Sequence, residues 1–276
     1  MTRIVAVANQ KGGVGKTTSA VNFAAALAEE GNRVLVVDLD PQGNASTALG
    51  VEHRLGVVGT YEVLIDQKSV TDAIYPCPDL AGVWAIPATI DLAGAEIELV
   101  STVAREYRLR RALENYLAET SDQVDVILID CPPSLGLLTL NALVAAGEIL
   151  IPIQCEYYAL EGLGQLLKTV ELVRAHLNPD IEVSAILLTM SDARTRLSAQ
   201  VAEEVRAHFG EAVLATPIPR AVRLSEAPSY GQTVLTYDPG SAGAEAYRTA
   251  AREFAARGTS APEPGPSAAD EGTVAS

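Results

Sequence analysis

Residues 9–18 read Asn-Gln-Lys-Gly-Gly-Val-Gly-Lys-Thr-Thr, placing three glycines, two lysines and two threonines within ten positions. They follow an apolar, β-branched run at 4–8 and precede an alanine-rich segment, 20–30, with helical spacing. Strand, glycine-rich turn and helix form the context of a phosphate-binding loop. Gly12, Gly13 and Gly15 allow successive backbone N–H groups, with that of Val14 between them, to converge on an anion without Cβ clashes. The helix N-terminus adds partial positive charge and Lys16 adds a full one. Thr17 offers a hydroxyl to a Mg²⁺ bridging two phosphates. Gln10 stands where the usual pattern has a glycine, and Lys11 is an additional lysine at the loop's start. A glycine-rich turn with incidental lysines is the bland alternative, and the flanking elements argue against it. The stretch is read as a loop for nucleotide phosphate.

Two further stretches carry carboxylates. Residues 33–38, Arg-Val-Leu-Val-Val-Asp, form a continuous apolar run ending in Asp38, which suits a central parallel strand buried on both faces. Asp38-Leu39-Asp40-Pro41-Gln42-Gly43-Asn44 then leaves the C-terminal edge, where open α/β sheets place their ligands. Turn chemistry alone accounts for such residues in isolation; beside the loop they gain weight. Residues 125–130, Asp-Val-Ile-Leu-Ile-Asp, have the form of a Walker B strand, whose terminal carboxylate, Asp130, holds Mg²⁺ directly or through water. Cys131-Pro132-Pro133-Ser134 is a stiff exit from that strand.

The elements that must position these groups alternate along the chain. Helices are expected at 19–30, closed by Gly31, and at 61–65, 70–74, 90–98, 108–117, 159–177, 197–209 and 242–256. Strands are expected at 83–87, with Trp84 in the core, and at 148–153, 181–189 and 213–216. In the helix 159–177, Leu163, Leu166, Leu167, Val170 and Val173 form a stripe that reads as core, with a subunit face as the alternative. A loop opens at Pro217-Ile218-Pro219-Arg220. The pattern describes one α/β domain over 1–257. From Gly258 the composition turns to Ala, Pro, Ser, Gly, Asp and Glu, which reads as a disordered acidic tail over 258–276.

Composition narrows the function. Hydrophobic residues make up 48% of the 276, yet the apolar runs are strand-length, short of the roughly 18–20 residues that span a bilayer. No charged-then-apolar leader opens the chain, so a cytoplasmic protein with no membrane partner is expected. Cys77, Cys131 and Cys155 lie far apart with no C-x-x-C pair, the pattern of reduced structural thiols. A net charge of −15 argues against a general basic coat for nucleic acid. It leaves room for a small basic patch, because screening confines exposed charge to about 8–10 Å.

Taken in order, segments 11–18, 36–44 and 126–134 resemble the deviant Walker A ATPases of the MinD/ParA superfamily, and most closely the ParA/Soj branch that partitions chromosomes and plasmids. Segments 188–200 and 218–230 resemble Soj-type signatures, so the resemblance spans roughly 2–256. It implies a single-domain P-loop NTPase fold, a mostly parallel twisted sheet with helices on both faces. The implied activity is weak, Mg²⁺-dependent ATP hydrolysis, stimulated by DNA and by a ParB/Spo0J-type centromere-binding protein. Lys11 resembles the signature lysine that reaches the partner copy's nucleotide in an ATP-dependent homodimer, where Gly12 must stay small. Lys16 then contacts the β/γ-phosphates, Thr17 the Mg²⁺, and Asp40 the attacking water. Asp38 and Asp130 become metal-side or switch carboxylates. Thr18 and the stretch from Pro217 to Pro219 lie near the nucleotide. Arg194 and Arg223 match positions that carry non-specific double-stranded DNA binding on the nucleoid, with Arg196 and Arg220 as helpers; exposed arginines paired with the chain's own carboxylates are the alternative. Three other readings of the loop stay open: a MinD-type membrane regulator, which needs an amphipathic C-terminal helix; an iron–sulfur carrier, which needs cysteines shared across a dimer; and a metabolic enzyme of the same fold.

Overall fold

Short runs of valine, leucine and isoleucine build a seven-stranded sheet whose central strands are covered on both faces. The computed structural model describes residues 2–120, 124–156, 159–192 and 194–257; the tail expected at 258–276 lies outside them. The strands are β1 (Arg3–Val7), β2 (Val34–Asp38), β3 (Tyr75–Pro76), β4 (Val83–Ile86), β5 (Val126–Asp130), β6 (Glu148–Gln154) and β7 (Glu182–Thr189). Their order is β3-β4-β2-β5-β1-β6-β7, and every pairing is parallel except β3 with β4. Strand β5 inserts between β1 and β2. Its register sets Asp130 beside Val7 on one side and beside Asp38 on the other. The loop that follows β1 and the two carboxylate strand ends therefore share one edge.

The helices are α1 (Lys16–Glu29), α2 (Asn44–Ala48), α3 (Thr60–Leu64), α4 (Val70–Ala73), α5 (Leu92–Val100), α6 (Arg108–Glu119), α7 (Leu137–Ala145), α8 (Ala159–His176), α9 (Arg196–Phe209), α10 (Val222–Glu226), α11 (Val234–Tyr237) and α12 (Ala242–Arg257). Helices α1, α2 and α10–α12 bury their apolar residues on one face of the sheet. Helices α3–α9 do so on the other. Two cores thus sandwich the strands, as short parallel strands require. The α8 stripe is core: Leu163, Leu166, Val170 and Val173 are buried, and Leu167 packs against them half-buried.

Helix α1 starts at Lys16, three residues before the sequence pattern suggests, directly after Gly15 in the left-handed region at φ 87°. It ends where Gly31, at φ 89°, returns its N–H to the Ala28 carbonyl. Phe23 meets Tyr247 and Phe254 of α12 edge-on, with centroids 6.1 and 5.8 Å away. Asn22 donates to the Thr18 carbonyl and accepts from the Val234 N–H, which ties α1 to α11. The helix that carries the loop is thereby fixed against the C-terminal elements.

Three features differ from the sequence reading. Residues 213–216 are not a strand: Val213 makes one isolated bridge to Ile186. The Leu214 N–H still donates to the Ile186 carbonyl (2.9 Å), but side chains take the place of a continued ladder, as Arg257 donates to the Ala212 and Val213 carbonyls and Glu253 accepts from the Ala215 N–H. Helix α7, which the sequence reading leaves unassigned, has the composition LLTLNALVA, with no polar face to reveal its period. Trp84 is only half-buried, packed against the core rather than within it.

Phe254→Ala removes an aromatic ring from the α1–α12 contact, and a loss of about 3–5 kcal/mol in unfolding free energy is expected from urea denaturation. A loss below about 1 kcal/mol would show that α12 does not anchor the loop helix.

Candidate nucleotide site

Side-chain hydrogen bonds tie the loop to distant strands. Asn9 donates through Nδ2 to the Pro152 carbonyl (2.7 Å), and its Oδ1 accepts from the Lys11 N–H (3.0 Å). Thr189, at the end of β7, donates through Oγ1 to the Val14 carbonyl at 2.8 Å. Gly13 sits at φ 73°, where an L side chain is strained, and a Cβ built there meets nothing within 4 Å. The loop's mouth is therefore open at Gly13, with backbone supplying the wall. Lys16 is buried, and its Nζ donates to the Lys11 carbonyl (3.2 Å), folding the ammonium across the loop. Burial lowers the Lys16 pKa, against the opposing charges of Asp130, Cys131 and Asp40.

The carboxylates differ in how they are satisfied. Asp38 is fully buried; one oxygen accepts from the Asp40 N–H (3.1 Å), the other from the Ser46 N–H (2.9 Å) and hydroxyl (2.7 Å). Desolvation pushes it up to about 6 despite those bonds, with the Asp40 charge adding to the rise. Asp130 is equally buried, yet neither oxygen has a hydrogen-bond partner of ordinary length and angle among the described residues. Burial first, then Asp38, lifts its pKa well above the usual carboxylate range, while Thr17 and Lys16 oppose the rise. Asp40, 8% exposed, accepts from the Gln42 N–H (3.0 Å).

Among the described residues no three His, Cys, Asp or Glu side chains converge closely enough to hold a metal ion by themselves. The bare Asp130 oxygens nonetheless fit a cation that completes its shell with phosphate oxygens and water, which is how Mg²⁺ is commonly held. Asp38 is engaged by three protein donors and serves first to fix the loop from Asp40 to Ser46.

A small cavity of about 100 Å³ flanks the loop, lined by Gly15, Thr18, Thr189, Met190, Pro219 and Leu224, among others. Pro219 stands in an isolated bridge with Ser191, and the Ile218 N–H donates to the Leu188 carbonyl. Pro217 precedes this bonded stretch, and the cavity lining does not include it. Met190, at φ 51°, turns the chain here in the left-handed region.

Lys11 is half-buried, its Nζ 3.3 Å from Glu156 Oε2. Glu156 also faces Arg220 at 3.8 Å, so one carboxylate links the loop's first lysine to the Pro219 segment. Arg194, Arg196, Arg220 and Arg223 are all exposed. Arg194 pairs with Asp192 (2.8 Å), and Arg223 pairs with Glu226 (2.9 Å) and Asp238 (3.5 Å) while its guanidinium lies 5.9 Å from the Tyr237 ring centroid. Arg196 forms no ion pair among the described residues. The sequence reading did not single out Asn9, Ser46, Glu156 or Thr189. Burial raises the pKa of Cys131, and the three cysteines are free and buried. No helix among the described residues is long and apolar enough to cross a membrane.

The family described as AAA domain matches residues 2–183. The sporulation initiation inhibitor protein Soj of Bacillus subtilis is 56% identical over 258 residues, covering 94% of this chain and all of that one. The chromosome partitioning protein ParA of Caulobacter vibrioides is 52% identical over 255 residues, covering 92% of this chain and 94% of that one. Among solved structures, cobyrinic acid a,c-diamide synthase of Mycobacterium smegmatis, with bound ADP and magnesium, superposes with a TM-score of 0.78 at 43% identity, covering 91% of this chain and 93% of that one. The septum site-determining protein MinD of Pyrococcus horikoshii, complexed with Mg-ADP, gives 0.74 at 27%, covering 92% and 96%.

A carboxylate whose folded pKa lies above its unfolded value near 3.9 binds more protons when folded, so its contribution makes stability fall as pH rises through and above that value. Asp130→Asn removes the buried charge. In nucleotide-free protein with EDTA, a gain of about 1–3 kcal/mol at pH 7.5, shrinking toward pH 4.5, is expected from urea denaturation. A loss at pH 7.5 would contradict this reading of Asp130.

Proposed function

The chain belongs to the ParA/Soj family of chromosome-partitioning proteins, and from that premise we propose that it is an ATPase switch for chromosome or plasmid segregation. ATP binding drives a homodimer that holds DNA without regard to sequence. A ParB/Spo0J-type centromere-binding partner stimulates hydrolysis, and the resulting ADP form releases the DNA. The protein works in the cytoplasm, on the nucleoid. The observation that carries this reading is the convergence of the glycine loop and two buried carboxylate strand ends on one sheet edge, in a chain that matches Soj over that protein's whole length.

Within this reading, the N–H groups from Gly12 to Thr18 cradle the phosphates, and Lys16 exchanges the Lys11 carbonyl for β/γ-phosphate oxygens. Thr17, Asp130, Asp38 and Asp40 are the residues that would hold Mg²⁺, which when bound neutralises phosphate charge. Asp40, with one oxygen fixed by the Gln42 N–H, orients a water in line with the γ-phosphorus. The water oxygen bonds to phosphorus as the bond to the ADP oxygen breaks. Lys11 leaves Glu156 and reaches the partner copy's nucleotide, so hydrolysis waits on dimerisation. The cavity beside Thr18, Met190 and Pro219 takes the nucleoside end. Arg194 and Arg223, assisted by Arg196 and Arg220, exchange carboxylate partners for DNA phosphates. Exposed pairs of this kind are readily exchanged and screened.

Lys16→Ala is expected to abolish productive nucleotide binding. Asp40→Ala retains the ATP-dependent dimer while turnover falls about 100-fold or more, read by phosphate release and light scattering; unchanged turnover would overturn the role of Asp40. Arg223→Ala loses DNA retention while keeping ATP-dependent dimerisation; loss of both would make the residue structural.

A further inference from the structure

On the sheet face opposite α1, the connection from α3 to α4 and one side of α6 wall a cleft of about 240 Å³. Its lining includes Lys68, Arg108 and Arg111, together with the neutral polar residues Gln67, Ser69 and Asn115. Positions 108, 111 and 115 recur at helical spacing, so α6 presents all three to the same side. Gln67 adopts the left-handed region at φ 56°, rare for a residue with a side chain, at the point where the chain turns into the cleft wall.

Many arginines of this acidic chain find carboxylates, among them Arg3, Arg33, Arg105, Arg110, Arg248 and Arg252. Lys68, Arg108 and Arg111 make no ion pair among the described residues. Arg108 Nη1 is buried with no hydrogen-bond partner, although Glu119 also lines the cleft. Three like charges around one recess repel one another, and the buried Arg108 Nη1 goes without a hydrogen bond unless an anion joins them.

We propose that this cleft is a second anion site, separate from the glycine loop, that takes a phosphate or diphosphate group of a compact small molecule. Guanidinium forks from Arg108 and Arg111 suit tetrahedral phosphate oxygens, with the Lys68 ammonium as a point charge. The volume falls below the about 300–1,000 Å³ typical of drug-sized ligands, which favours a compact anion. A duplex backbone presents a continuous line of charge and is met by a strip of exposed cations; the recessed Arg108 Nη1 suits an anion that enters.

The test is calorimetric titration of inorganic pyrophosphate into the full chain with ADP at saturation, so that the loop is occupied. One pyrophosphate per chain is expected. Binding should weaken at least ten-fold in Lys68→Ala/Arg111→Ala, whose substituted residues are exposed, and in Arg108→Gln, with ADP affinity unchanged in both. Absence of this second binding event in the wild-type chain, or equal affinity in the variants, would overturn the proposal. So would loss of random-sequence duplex binding in the double variant with pyrophosphate binding unmoved, since that outcome assigns the cleft to nucleic acid.

Discussion

Two carboxylates buried side by side at the ends of neighbouring strands are the constraint on which the site depends. Asp38 and Asp130 are paired across the β2–β5 ladder, both fully out of water. Burial is the main reason both pKa values rise, joined by the Asp40 charge at Asp38 and by the Asp38 charge at Asp130. The protein answers the two differently. Asp38 is surrounded by donors from Ser46 and Asp40, and so becomes the anchor of the strand exit. Asp130 is left bare, facing Lys16 and Thr17. A fold built only for stability would fill that position with a neutral side chain; an exposed demand for positive charge beside a phosphate loop is the signature of a ligand-completed site.

The same edge brings the nucleotide end and the proposed DNA arginines into one neighbourhood. Arg220 and Leu224 line the cavity that also includes Gly15 and Thr18, and Arg223 lies in α10 next to Leu224. Glu156 holds Lys11 and Arg220 together. A nucleotide that draws Lys11 away from Glu156 therefore also changes what Arg220 faces. This adjacency supplies a physical connection between the state of the loop and the basic patch, with no need for a long route through the core.

Local patterns made much of this legible. The glycine loop, the two strands ending in Asp38 and Asp130, and most of the long helices announce themselves through short-range spacing. What stayed hidden is non-local. No pattern in residues 3–7 or 34–38 says that β5 will insert between them, although that insertion creates the carboxylate pair. The side chains that hold the loop act across the chain, Asn9 on a carbonyl 143 positions away and Thr189 on one 175 positions away. Helix α7 hides because its Thr139 and Asn141 are buried with its leucines and mark no polar face, and 213–216 misled because, after one bridge and one backbone bond to Ile186 of β7, its groups bond to Arg257 and Glu253 of α12. The bare cations of the α6 cleft are equally invisible in one dimension, where Arg108 and Arg111 look like an ordinary solvated helix face.

In the proposed switch, nucleotide state decides whether the chain holds DNA. Its most direct test is binding to random-sequence duplex DNA with ATP, with ADP and with no nucleotide, each at two salt concentrations. Binding is expected only with ATP and Mg²⁺, weakening steeply as salt rises because phosphate contacts release counterions. Binding of equal strength in all three states, or none in any, would contradict it.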